Sequence, residues 1–215
     1  MGETSSEYPL DFEPQCPQFA WMLNHLGGWQ FGEQDLIPAI LKQIGAVGLC
    51  IEYGAGDGDV LPLTIDRLYQ DGRDCCLVEI NEDRQSSLRT RYPNASVTGE
   101  LNWGGHFVTS WQIPAVVVID IDGQDSVVMR QMLDSKCRPA LIVCEHMDRH
   151  FNIGSTTPHT VPQWLLGMEL TTGHIIQDTA ETLHWIAGEM GYERVGLNRC
   201  NSFFVRKDLF GKLFL

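Results

Sequence analysis

The sequence predicts an α/β fold on a mostly parallel sheet that closes with an antiparallel strand. Three observations carry this. Short apolar runs alternate with helix-period segments from residue 47 onward, a glycine-rich turn follows the first run, and only Asn198 to Asn201 separates the last two runs. Alternating strands and helices imply right-handed crossovers and parallel neighbours, whereas so brief a final link cannot hold a crossover helix.

In chain order, residues 31–44 place Leu36, Ile37, Ile40, Leu41 and Ile44 at helical spacing before Gly45, a helix-stop signal. Val47 to Tyr53 is a continuous apolar run, as expected of a parallel strand buried on both faces, and it breaks at Gly54. The pattern then predicts helices over Val60–Tyr69, Glu82–Arg91, Ser126–Asp134 and Thr179–Met190. Strands are expected over Cys75–Ile80, Ala95–Thr98, Ala115–Ile121, Ala140–Cys144, Tyr192–Leu197 and Ser202–Arg206. From His146 to about residue 175 no period is visible, which reads as a loop insertion near the functional edge. The 215 residues form one domain on this reading, with 1–44 as an N-terminal segment and helix.

Composition narrows the function classes. Hydrophobic residues make up 43% of the chain, which suits a globular core, and the net charge of −13 opposes binding to polyanions such as nucleic acid and to anionic membrane surfaces. No run of apolar residues is long enough to span a bilayer, and Met1 to Gln18 lacks the basic and apolar regions of a signal peptide, so a cytoplasmic location is expected. Seven cysteines without a CxxC pair read as buried reduced thiols.

The turn Glu52-Tyr53-Gly54-Ala55-Gly56-Asp57-Gly58 follows the first strand. Glycines there permit tight turning and close ligand approach. The spacing is Gly-x-Gly-x-Gly, whereas a dinucleotide fold wants Gly-x-Gly-x-x-Gly. Glu52 and Asp57 would repel a pyrophosphate but suit a cofactor bearing an ammonium and a sulfonium, which favours S-adenosylmethionine over NAD. Glu79 lies 21 residues after Gly58, at the end of the second strand, where an acid takes ribose hydroxyls in nucleoside-binding folds.

Four segments together resemble the FkbM-type branch of the S-adenosylmethionine-dependent methyltransferases. They are Gln30-Phe31-Gly32-Glu33-Gln34-Asp35, the turn at 52–58, Ile119-Asp120-Ile121-Asp122-Gly123-Gln124-Asp125, and Gly191-Tyr192 through Asn201-Ser202-Phe203-Phe204-Val205-Arg206. The resemblance implies a Rossmann-like, seven-stranded sheet with helices on both faces, and O-methylation of a small molecule or sugar. It further implies that Gly54, Gly56 and Gly58 approach the methionine moiety, Glu79 the ribose, Glu100 the adenine edge, and that Asp120 closes the methionine side. Ala55, Asp57, Ile80 and Leu101 complete the candidate cofactor contacts. Where a Gly-Ala-Ser segment is expected before the last long helix, this chain has Ile176-Gln177-Asp178-Thr179.

Methyl transfer to a hydroxyl requires a base for its proton or a metal that lowers its pKa. Asp122 and His146 are the candidate catalytic residues. Asp122, Glu145 and His146 could hold magnesium, within a wider set of Asp120, Asp125, Asp148 and His150 at the ends of the fourth and fifth strands. Trp103 could stack on adenine or substrate, and Asn201 could bond the acceptor or form a turn. A macromolecular methyltransferase and a non-catalytic scaffold are the competing readings, and a homodimer is compatible with the sequence.

Overall fold

The computed structural model describes residues 13–14, 32–59, 63–99, 113–121, 125–146, 178–198 and 200–214. Seven strands form one sheet: β1 (Cys50–Tyr53), β2 (Cys75–Val78), β3 (Ser96–Thr98), β4 (Val116–Ile119), β5 (Leu141–Glu145), β6 (Tyr192–Leu197) and β7 (Asn201–Arg206). Their order across the sheet is β6-β7-β5-β4-β1-β2-β3, and the two-residue segment Glu13–Pro14 pairs antiparallel with the outer edge of β6. β1 to β5 pair in parallel, and β7 runs antiparallel to both β5 and β6, as the short link before it demands.

Helices cover both faces. On one face α1 (Glu33–Ile44), α2 (Asp66–Gln70) and α3 (Glu82–Arg91) contribute Leu36, Ile40, Leu68 and Leu88 to a core with Cys50, Leu77, Val118, Val143 and Phe203. On the other, α4 (Asp125–Asp134) and α5 (Ala180–Glu189) pack Met129, Met132, Leu183 and Ile186 against Ile51, Tyr53, Ile119, Ile142 and Phe204. Alternate residues of each strand therefore feed opposite cores, which is why β4 reads as an unbroken apolar run.

The sequence signals explain most element ends. Gly45 takes φ +68° and its N–H caps the last turn of α1. Asn81 accepts the Arg84 N–H at 3.0 Å to start α3, and Thr179 accepts that of Thr182 at 3.2 Å to start α5. One helix is shorter than its pattern: α2 begins at Asp66, and not before residue 63 as the expected Val60–Tyr69 would require. The carboxylate of Glu52 accepts the N–H groups of Thr64 and Ile65, each at 3.0 Å, and holds them in a turn ahead of the helix. Two further elements have no counterpart in the sequence reading. A short helix α6 (Lys207–Phe210) and a 3₁₀ turn (Gly211–Phe214) fold back on α1, where Gln43 donates to the Lys212 carbonyl at 3.2 Å and Leu213 is buried.

The apolar stripe of α1 is fully buried, so deleting part of it leaves a cavity. Ile40→Ala should lower the unfolding free energy by about 2–5 kcal/mol, whereas Val47→Ala, at a position 82% exposed, should change it by less than about 0.5 kcal/mol. Denaturant titration of the two variants measures both.

Candidate functional site

The strand order reverses between β1 and β4, since β1 leads outward to β2 and β3 while β4 leads the other way to β5. Connections leaving the two strands diverge there and open a crevice at their carboxyl ends, the place where α/β sheets bind ligands. The glycine-rich turn stands at the end of β1, and Asp120 stands at the end of β4.

The three glycines have three different reasons for being glycine. All have positive φ: +79° at Gly54, +62° at Gly56 and +72° at Gly58. A Cβ on Gly54 would lie 1.5 Å from the Asp120 carbonyl oxygen, so the turn and the end of β4 touch backbone to backbone. One on Gly58 would come within 2.9 Å of the Tyr92 ring, which is pinned by its hydroxyl bond to Asp66 at 3.0 Å and by the edge of Tyr69. Among the described residues nothing lies within 4 Å of where a Cβ on Gly56 would stand, so its side-chain face is open to a ligand.

Glu79 ties the turn after β1 to the end of β2. Its Oε2 accepts the Gly56 N–H at 3.0 Å, its Oε1 accepts the Asn81 N–H at 2.8 Å, and the Arg84 guanidinium lies 3.9 Å away. Gln85, itself buried, donates to the Glu79 carbonyl at 2.8 Å and sets the height of this strand end. Beside it Ile80 is 75% exposed, an apolar side chain presented to solvent at the lip of the crevice. Gly54 and Ala55 both donate to the Val78 carbonyl, and Asp120 donates to that of Tyr53, so the turn is tied to both neighbouring strands. Asp57 accepts the Asp59 N–H at 2.8 Å and shapes the exit of the turn. The sequence reading gives Glu52 a cofactor contact, whereas its two oxygens serve the Thr64 and Ile65 N–H groups. Burial raises its carboxyl to about 7, with those bonds opposing the rise and Asp120 adding to it.

On the far side of Asp120, Glu145 ends β5 in register with Asn201, while His146 is buried and its Nδ1 lies 3.2 Å from the Ser202 Oγ. Asp125 accepts the Ile121 N–H at 3.0 Å, and buried Asp178 accepts that of Ser126 at 2.6 Å; burial raises the Asp178 carboxyl against this bond. This edge is electronegative: burial first, then Asp125, Asp178, Glu145 and Asp120, drive the Cys144 thiol well above its ordinary value. Among the described residues no three His, Cys, Asp or Glu side chains assemble a metal site. Glu100, Leu101, Trp103, Asp122, Asp148 and His150 lie outside the described residues. Sequence reasoning missed a buried cluster nearby, in which Glu33 Oε1 accepts from Asn198 Nδ2 at 2.6 Å and Asn201 Nδ2 at 3.1 Å. Its only sequence signal is polar residues inside the segments that carry the family resemblance.

The sheet order and the crevice define the class I methyltransferase fold, Rossmann-like with an antiparallel closing strand. Solved structures share it. One is a Burkholderia thailandensis 1,6-didemethyltoxoflavin-N1-methyltransferase with bound 1,6-didemethyltoxoflavin and S-adenosylhomocysteine, 11% identical, covering 82% of this chain and 79% of that one with a TM-score of 0.51. A second is the methyltransferase domain of bacterial CtHen1-CN, 14% identical, covering 80% and 98% with a TM-score of 0.50. A third, an O-methyltransferase family protein from Burkholderia thailandensis, is 13% identical and covers 81% of this chain and 56% of that one with a TM-score of 0.50. No protein-family model and no curated protein matches the sequence. Among the described residues no helix is long and apolar enough to cross a membrane.

Two predictions follow from this geometry. Gly54→Ala should cost about 4 kcal/mol or more and Gly58→Ala about 2 kcal/mol, while Gly56→Ala should cost only about 1 kcal/mol of left-handed strain and remain folded by circular dichroism. Because Glu52 holds its proton to about 7 when folded and to about 4.5 when unfolded, stability falls as pH rises through that window. Glu52→Gln should therefore gain on the wild type by up to about 3 kcal/mol between pH 4.5 and 8, read as unfolding free energies at the two pH values.

Proposed function

We propose that the chain is an S-adenosylmethionine-dependent methyltransferase of the FkbM type that methylates a hydroxyl of a small molecule or sugar. The observation that carries this reading is the pairing of Glu79 with Gly56 across the ends of β1 and β2, beside the switch point. One carboxylate stands beside main chain that is open on the side a Cβ would take, so a ribose diol and an amino-acid tail are held next to each other. Ile80 offers an apolar face for an adenine ring beside that carboxylate, and Asp120 brings negative charge towards the methionine ammonium. Glu100, which follows β3, is assigned to the adenine edge by the family resemblance, and Leu101 and Asp57 are further cofactor contacts on this reading.

The bound cofactor supplies an electrophilic methyl group on a sulfonium. The chain itself has to align the acceptor oxygen with that methyl, exclude water and take one proton. His146 is the assigned base. The Ser202 hydroxyl, 3.2 Å from Nδ1, orients the ring. Asp122 is assigned to the same step. A base of this kind makes a magnesium ion at Asp122, Glu145 and His146 unnecessary for deprotonation. The charge of −13 favours an acceptor other than nucleic acid.

Calorimetric titration with S-adenosylmethionine, S-adenosylhomocysteine and NAD tests the reading. Both sulfur cofactors should bind, NAD should not, and Glu79→Ala should weaken binding about 10- to 100-fold through lost charged hydrogen bonds. Binding of NAD alone would overturn it.

A further inference from the structure

The arginines of α3 divide by what they hold. Arg89 donates to the Gln85 side chain at 2.8 Å and to the Val97 carbonyl at 3.3 Å, and Arg91 donates to Asp59 at 2.8 Å. Arg84 differs. Its main-chain N–H is taken by Asn81, which fixes it in the first turn of α3, and the Asn81 N–H in turn goes to Oε1 of Glu79. Its guanidinium lies 3.9 Å from Oε2 of Glu79 and, among the described residues, has no acceptor within hydrogen-bond distance. An ion pair this long, on a side chain 57% exposed, contributes little to stability.

The gap between the two groups fits a ligand atom. At 3.9 Å nitrogen and oxygen are too far apart for a direct hydrogen bond. One hydroxyl oxygen can nevertheless sit about 2.7 Å from the carboxylate and about 2.9 Å from the guanidinium at once. A hydroxyl suits that place because it donates to the first and accepts from the second, and the charge on each partner strengthens both bonds. The other partners of the Glu79 carboxylate are the main-chain N–H groups of Gly56 and Asn81, so Arg84 supplies the one side-chain donor near it among the described residues.

We propose that Arg84 is a cofactor-binding residue whose guanidinium donates to the ribose hydroxyl oxygen that itself donates to Glu79, so that this hydroxyl is held from both sides and a cofactor lacking it is disfavoured. The inference rests on the methyltransferase reading and adds to that site a residue outside the glycine-rich turn. Lysine could keep the charge but not the planar fork of donors, so it should replace arginine only in part.

The test is ligand-observed NMR titration of the wild type, Arg84→Ala and Arg84→Lys with S-adenosylhomocysteine and with its 2′-deoxy and 3′-deoxy analogues. Arg84→Ala should bind S-adenosylhomocysteine about 5- to 20-fold more weakly than the wild type, with Arg84→Lys in between and the circular dichroism of both unchanged. With the analogue that lacks the bridging hydroxyl the penalty for Arg84→Ala should fall below about twofold, while with the other analogue it should persist, a coupling that a merely structural role would not produce. Undiminished affinity in Arg84→Ala, the same penalty with both analogues, or any other pattern in which the wild type binds S-adenosylhomocysteine overturns the inference while cofactor binding stands. Failure of S-adenosylhomocysteine to bind the wild type overturns the methyltransferase reading and this inference with it.

Discussion

The contact on which the rest of the site depends is the one between Gly54 and the backbone of Asp120. Two strand ends that diverge in connectivity are brought so close that a single Cβ would sit 1.5 Å from a carbonyl oxygen. The Asp120 N–H donates to the Tyr53 carbonyl, extending the β1–β4 ladder by one bond, and Gly54 and Ala55 extend the β1–β2 side by their bonds to Val78. The turn is therefore a continuation of the sheet and not a loop laid over it. That stiffness is what lets a ligand find main-chain groups already in place, with little ordering left to oppose binding.

Burying polar groups around such a turn is costly unless each finds a partner, and the chain meets this by giving carboxylates to main-chain N–H groups. Glu52 holds Thr64 and Ile65, Asp125 holds Ile121, and Asp178 holds Ser126. Glu79 differs in kind. Its bonds to Gly56 and Asn81 tie the turn after β1 to the end of β2, and the residue is only 5% exposed, whereas Ile80 next to it is 75% exposed. Two acids beside the turn in space, Glu52 and Glu79, thus divide into one that holds the start of the next segment and one that holds the turn itself. Glu52 points into the α1–α3 face beside Val118, where a helix start needs capping.

Local features were legible in the sequence and distant ones were not. Helices α3 and α5 and strand β6 lie within a residue of their expected bounds because Asn81, Thr179 and Gly191 are short-range signals. α2 was over-read because its N-terminal residues carry a helical pattern while their N–H groups are claimed by Glu52, 12 and 13 residues earlier. The final turns at 207–214 are too short for any period, and the pairing of Glu13–Pro14 with β6 leaves no pattern in two residues. In the site, the glycine spacing and Glu79 were readable because they sit at strand ends. Glu33 and Asn201 meet across 168 positions of sequence, which no periodicity can report.

Adjacent sequence positions can likewise mislead about chemistry. Glu145 and His146 look like a pair of ligands, yet the first stands opposite Asn201 in the ladder and the second reaches Ser202, the neighbour of Asn201 along β7. Successive strand residues point to opposite faces, so two neighbouring polar groups at the end of β5 serve different sides of the sheet. On the α1 side the partners are carboxylates and amides. On the α4–α5 side the partner is a hydroxyl, which orients an imidazole. A strand end that divides its polar groups in this way places two different chemistries on the two faces of the sheet within one residue of each other.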